Sequence, residues 1–376
     1  LFVFVCAGCD AELTVALYRV CLPVHARQVY GNGVQLPVLM EPGTFALDPD
    51  PWERPRRTED EPCAPADALP GEERGDIVIA PGDIRGTRLI PDMRGGACCG
   101  IDGADGPNLV CMACDLPVAT RIDDCSLWQA VRLDRHAVRR VRVGIDPAPS
   151  SWEELTDKGE GTSPVAPIAT WGGRLGSNRC WSWSPQWAAA AGRALAHLLV
   201  ASEGSPIGVP DGLTADMFRP ALDAALPAGL PPRCAVLAGP GHPAPGGSGI
   251  VLVPVHPQTG HVWMPSGPAA SAYPVPLPLG VWLWLTSHRP YPPMPASGRM
   301  PRDVLRDDPI PLLPNGPFQA DRGTFERTLL GLTAAQAPWL REALARHASV
   351  GLFQTSGVVG AADIRSVGTA SRAPTP

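Results

Sequence analysis

Val5-Cys6-Ala7-Gly8-Cys9-Asp10 and Val110-Cys111-Met112-Ala113-Cys114-Asp115 share the pattern V-C-x-x-C-D, and the second stretch reads as a reprise of the first. Two cysteines spaced this way in a tight turn can aim both sulfurs at one ion. Two such pairs supply the four soft ligands of a closed tetrahedral zinc site. Cys6, Cys9, Cys111 and Cys114 are therefore the candidate metal ligands, and structural Zn2+ is the expected cofactor. With four protein sulfurs the ion keeps no open coordination position, so it would hold the fold together without activating water itself.

The pairs lie about a hundred residues apart, whereas compact zinc modules place theirs roughly 10 to 25 apart. Loop closure does not forbid a split site, because its entropy grows only logarithmically with length while zinc binding contributes far more. A rival grouping takes Cys98 or Cys99, from Gly95-Gly96-Ala97-Cys98-Cys99-Gly100, together with Cys111 and Cys114. It leaves the first pair to another partner such as Cys125 or His25. A plainer reading makes these residues buried free thiols. Iron also accepts four thiolates, but the tight cysteine runs of iron–sulfur proteins are missing. Neither pair sits between a strand and a convincing helix, as a thioredoxin-like motif would.

The chain has 376 residues, which suits two domains, and its 44 % apolar and 18 % charged content is that of a globular protein. Its 46 Pro and 40 Gly come to about 23 % of the chain, against roughly 12 % on average. That excess forbids long regular elements and predicts many turns, short strands and few helices. A formal charge of −6 lacks the basic surplus with which proteins neutralise phosphates. No run approaches the roughly 18 to 20 apolar residues of a membrane span, so no membrane partner is expected. Eleven cysteines read as ligands and core thiols of a reducing compartment, which implies a cytoplasmic protein.

Outward from the knuckles, Leu1–Val5 reads as a buried strand entering the first, and Leu13, Val15 and Leu17 as a second strand leaving it. A further strand is expected over Val34–Met40. Asp76–Ile79, Thr87–Ile90, Val118–Ile122 and Leu127–Leu133 read as strands around the second knuckle. Asp134 is expected to cap a short helix, Arg135–Val141. Ser151 with Glu154 forms a capping-box pattern. Ser184-Pro185 opens the best helical pattern, with Trp187, Ala191, Leu195 and Leu198 on one face, and Ala215–Leu226 reads as a second helix. Short strands follow at Cys234–Leu237, Ile250–Val255, Val262–Met264 and Val281–Thr286, with a hairpin turn over Pro257–Gly260, and a final helix opens at Thr333.

The expected fold class is α+β. Residues 1–145 form a mostly-β domain with a split zinc-ribbon-like element and an exposed insertion at 49–75, poor in large apolar residues. Residues 146–354 form an α+β domain, and 355–376 a disordered tail.

Other chemistry is thinner. His242, His256 and His261 could be imagined as a three-histidine metal centre, but they fall in turns. Arg132, Arg135, Arg139, Arg140 and Arg142 make a basic patch beside the second knuckle, which suits either nucleic acid or a solvated face. Trp171, Trp181, Trp183 and Trp187 could line a ligand groove or fill a core. The G-x-S-x-G, H-E-x-x-H and S-x-x-K signatures of hydrolases are absent.

At its two knuckles the chain resembles zinc-ribbon and rubredoxin-like knuckle proteins, over residues 1–22 and 95–133. Its Arg-, Ala-, Gly- and Pro-rich style resembles that of actinobacterial proteins. A ribbon implies a structural metal but no activity of its own. The leading expectation is a zinc-binding, non-enzymatic binding or adaptor protein with an unidentified protein partner. One alternative is nucleic-acid association through Arg132–Arg142; another is an enzyme with a cleft in residues 146–354.

Overall fold

A computed structural model of the full chain describes residues 1–29, 36–48, 75–93, 95–96, 99–157, 163–170, 181–229, 233–246, 249–287, 318–332, 339–340 and 353–354. The fold is α+β, and its first half is strand-rich. β1 (Phe2–Cys6) pairs antiparallel with β9 (Val138–Arg142) as a two-stranded ribbon. The remaining strands of this half form a seven-stranded sheet. They are β2 (Tyr18–Arg19), β3 (Thr44–Asp48), β4 (Asp76–Ile79), β5 (Thr87–Leu89), β6 (Leu109–Cys111), β7 (Pro117–Ile122) and β8 (Ala130–Leu133), in the order β2-β3-β4-β8-β7-β6-β5.

Period-two alternation explains how this sheet is covered on both faces. On β4, Ile77 and Ile79 join one apolar cluster while Val78 and Ala80 join another. The first cluster lies between sheet and ribbon: Phe2 and Phe4 of β1 meet the ring of Phe45 edge-on, at centroid distances of 6.0 and 5.1 Å. The second gathers Leu36, Leu39, Met40 and Trp128. Asp48 is 4 % exposed at the end of β3, and it accepts from Arg27 Nε at 2.9 Å and Arg132 Nη1 at 2.6 Å.

The strands expected at Leu1–Val5, Asp76–Ile79, Thr87–Ile90 and Val118–Ile122 all form, within a residue or so at their ends, and Leu127–Leu133 contributes its second half. Leu13 and Leu17 are fully buried, but that stretch makes only isolated bridges and the two-residue β2. Val34–Met40 contributes a single bridge, Val38 to Gln129, among its described residues. Arg135–Val141 is no helix. Asp134 does bond forward, accepting from His136 N at 2.9 Å, but its carbonyl takes the Ala137 N–H and the chain turns into β9. Tertiary pairing decides this: β1 is buried along its whole length, and β9 is its ladder partner, with Val3 opposite Val141.

In the second half, α1 (Trp152–Thr156) opens with both bonds of the Ser151–Glu154 capping box. β10 (Ile168–Thr170) and β11 (Trp181–Trp183) pair antiparallel. α2 (Pro185–Ser202) follows, buried over most of its surface. β12 (Ile207–Gly208), α3 (Leu213–Ala225), β13 (Arg233–Leu237), β14 (Ile250–Val255) and β15 (Tyr273–Pro278) come next, the strands forming a four-stranded parallel sheet in chain order. On β14, Ile250 and Leu252 face a core shared with α2 and α3, whereas Val251 and Val253 face a smaller cluster. The turn at Pro257–Gly260 forms, with His256 N–H donating to His261 O at 2.8 Å, but Val262 adds only one bridge to Val255.

Val281–Thr286 belongs to α4 (Leu279–Thr286), not to a strand. A short run apolar on every side carries no period by which helix and strand differ. β16 (Ala320–Asp321) pairs in parallel with β17 (Phe353–Gln354), and α5 (Arg322–Gly331) packs on α2. Burial lowers the pKa of Arg327 on α5. The expected insertion core at 49–74, the helix start at Thr333 and the tail at 355–376 lie outside the described residues. No helix among the described residues is long and apolar enough to cross a membrane.

Candidate metal centre

Each V-C-x-x-C-D stretch folds as the same turn. Asp10 N–H donates to Cys6 O at 2.9 Å and Cys6 N–H to Ala11 O at 2.8 Å; Asp115 N–H donates to Cys111 O and Cys111 N–H to Leu116 O, both at 2.9 Å. The residue after the second cysteine is left-handed in both, with φ 61° at Asp10 and 59° at Asp115. Aspartate tolerates that conformation better than most residues, which accounts for its place in both stretches. The backbone N–H of Ala11 bonds the Cys9 sulfur, and that of Leu116 bonds the Cys114 sulfur.

The equivalence extends to the neighbouring strands. Val5 faces Arg139 across the β1–β9 ladder, and Val110 faces Arg88 across β5–β6. Ala7 N–H donates to Ala137 O and Met112 N–H to Gly86 O, each at 2.9 Å. Arg139 then reaches Asp10, and Arg88 reaches Asp115 at 2.7 Å. The chain thus builds one half-site twice, from strand, knuckle, partner strand and a closing ion pair.

The two half-sites meet face to face. Cys6 Sγ lies 3.5 Å from Cys114 Sγ and Cys9 Sγ 3.6 Å from Cys111 Sγ, and all four sulfurs fall within 4.8 Å of one another. A tetrahedral ion with metal–sulfur bonds of about 2.3 Å requires sulfur–sulfur edges of about 3.8 Å. A disulfide requires about 2.05 Å. The spacing observed is that of a cation shell. Cys6 and Cys111, at the ends of β1 and β6, are buried, while Cys9 and Cys114 at the knuckle tips are exposed.

The thiols share protons unequally. Desolvation would raise Cys111, but N–H bonds from Ala113 and Cys114 and side-chain bonds from Cys9 and Cys6 outweigh it and bring it down to about 7. For Cys114 the Leu116 N–H acts downward, yet bonding to Cys9 and Cys6 with desolvation carries it up to about 12.

Cys99 stands apart from this centre: its thiol donates to Asp124 Oδ1 at 2.9 Å, and with Asp124 and Cys125 it makes a second cluster. Cys98 lies outside the described residues. Cys21 is disulfide-bonded, whereas Cys6, Cys9, Cys99, Cys111, Cys114, Cys125 and Cys234 form no disulfide. His25 is far from both groupings in character: burial against Trp128, 4.3 Å between ring centroids, drives its pKa down to about 3.

The three later histidines form no metal-sized group among the described residues. His256 is fixed by structure: its Nε2–H donates to Ser150 O at 2.9 Å, and its Nδ1 accepts from Gln258 N and Thr259 N, each at 3.2 Å. Trp183 and Trp187 are buried, the latter donating to Val165 O at 2.7 Å. The arginines of 132–142 sit largely among carboxylates: Arg132 on Asp48, Arg139 on Asp10, and Arg142 3.7 Å from Asp146. Arg140 lies 4.7 Å above the Phe2 ring. Asp124 and Cys125 carry no spacing that would single them out in sequence; the ion-paired Asp after each knuckle was signalled by its repetition.

Comparison with protein-family models, with curated proteins and with solved structures finds no match for this chain.

Proposed function

We propose that the protein is a zinc-binding protein whose split four-cysteine centre, akin to a zinc ribbon, clamps the β1–β9 ribbon onto the seven-stranded sheet, and that it serves as a non-enzymatic binding or adaptor protein. The observation that supports this most is the sulfur–sulfur spacing of 3.5 and 3.6 Å between two knuckles that share backbone, partner strand and ion pair. Four thiolates favour zinc over hard cations, and a closed shell favours a structural role. A division into 1–145 and 146–354 accompanies this reading, since among the described residues no apolar cluster draws on both segments. A cytoplasmic setting, where thiols stay reduced, is also part of it; the disulfide at Cys21 is the feature that argues the other way.

Elemental analysis of untagged protein tests the proposal. Cys6→Ser and Cys111→Ser should each lose the same zinc ion and the same share of thermal stability. Zinc content unchanged in either variant would end it.

A further inference from the structure

We propose a second cation site, built from Cys99 Sγ, Cys125 Sγ and an Asp124 carboxylate oxygen, which takes a thiophilic divalent ion such as Zn2+ with a fourth position open to a cavity. These three ligand atoms lie within 4.8 Å of one another. Two thiolates and one carboxylate make a three-ligand set of the kind that leaves zinc an exchangeable position.

The cluster is assembled by backbone. Ile101 and Asp123 exchange a pair of hydrogen bonds, at 3.0 and 2.7 Å, which draws the 99–101 segment against 123–125. Glycine is required between them, since a Cβ on Gly100 would come within 1.8 Å of Asp123 O. Cys99 N–H then donates to Asp124 Oδ1 at 2.9 Å and Cys125 N–H to Cys99 Sγ at 3.2 Å. Ser126, directly after Cys125, is left-handed at φ 70°, as are Asp10 and Asp115 after the outer cysteines of the first centre. Sequence pattern could not show this, because the ligands come from two segments without C-x-x-C spacing.

Without an ion, the Cys99 thiol proton bridges its sulfur to Asp124, 2.9 Å away, and occupies the place a cation would take. Binding of Zn2+ would release the Cys99 and Cys125 protons to solvent and form two Zn–S bonds and one Zn–O bond, with no oxidant or reductant needed. Asp124 and Cys125 are buried and Cys99 is exposed, so the site has an entry path. All three line a cavity of about 810 Å³, whose wall also carries Ile101, Arg85 and Arg121. The cavity is large enough to hold water or a small anion beside the three ligands, and Arg85 and Arg121 are among its lining residues.

The test uses the full, untagged chain, loaded with zinc and freed of excess ion. Wild type should hold two zinc ions per chain, Cys99→Ser and Cys125→Ser one each, and Asp124→Asn one after dilution. Cys6→Ser should lose the other ion and keep this one, which separates failure here from failure of the first centre. Cobalt in place of zinc should give a difference spectrum, wild type minus Cys125→Ser, with thiolate charge-transfer bands that azide shifts, while the remaining spectrum does not respond. Circular dichroism identical to wild type shows that the variants fold. A single zinc in wild type, unaffected by Cys99→Ser and Cys125→Ser, would overturn the proposal. So would a Cys99–Cys125 disulfide in protein purified without reductant.

Discussion

Removing one sulfur from each half of the four-cysteine centre should cost no more than removing one sulfur from either. Cys6 and Cys114 are 108 residues apart and Cys9 and Cys111 are 102 apart, so the proposed ion would cross-link a loop of that size. In a chain-entropy model, a cross-link closing about 100 residues stabilises the fold by about 4.7 kcal/mol. For a unit of this size that corresponds to a fall of roughly 15 to 20 °C in melting temperature. An ion held by all four ligands together would be lost with any one of them, so Cys6→Ser or Cys111→Ser alone should forfeit nearly the whole effect. Calorimetric melts of both single variants and the double variant, each with and without chelator, close a double-mutant cycle. We expect all three variants to melt close together, and chelated wild type to melt with the chelated variants. Independent ligands would instead add to within about 0.5 kcal/mol. Additive losses, or a wild-type melt indifferent to chelation, would refute a shared ion.

Asp48→Ala should destabilise by about 3–5 kcal/mol, because it leaves Arg27 and Arg132 facing one another without their carboxylate; urea titration measures this, and a loss under 1 kcal/mol would contradict it. Arg88→Ala and Arg139→Ala remove equivalent exposed ion pairs, so each should cost no more than about 1 kcal/mol and leave zinc content unchanged. His25 is neutral in the fold, with its pKa down at about 3 from the usual 6.5. The unfolded chain therefore takes up a proton that the folded chain refuses between those values, and stability present above pH 6.5 is lost as pH falls toward 3. Its slope is at most about 1.4 kcal/mol per pH unit, the value for one proton taken up on unfolding. His25→Gln should flatten urea midpoints plotted against pH in that window, and identical profiles would rule the effect out.

The four-cysteine centre was legible because both halves carry their own local instructions. Each cysteine pair, with its following aspartate, writes the same turn into the sequence, and only their meeting required the fold. α2 was legible for a similar reason, with Pro185 at its first position and an apolar stripe behind it. β9 was not, because Arg139, Arg140 and Arg142 hide the pairing of Val138 and Val141 with β1. α4 was hidden by its uniform apolarity. The parallel order of β12 to β15 escaped as well, since among the described residues only the first of its crossovers carries an α-helix, α3, and the turn after β14 resembles a hairpin. The Cys99–Asp124–Cys125 cluster depends on a backbone approach that only Gly100 hints at.

A metal bound at the first centre would help so proline-rich a chain hold a sheet spread over such distant segments. Cys6 and Cys111 belong at once to the ligand set and to the apolar cluster between ribbon and sheet, beside Phe4, Leu13 and Val118. A protonated cysteine packs as a small apolar residue, so the hydrophobic contacts that bring β1 onto the sheet also bring the inner sulfurs together. The outer sulfurs, Cys9 and Cys114, are exposed and gain nothing from that burial. They are held by the knuckle turns, whose left-handed Asp10 and Asp115 are fixed in turn by Arg139 and Arg88. Core packing therefore positions half the ligands and local turn chemistry the other half. An ion bound to all four would convert two weakly coupled contacts into one cooperative joint.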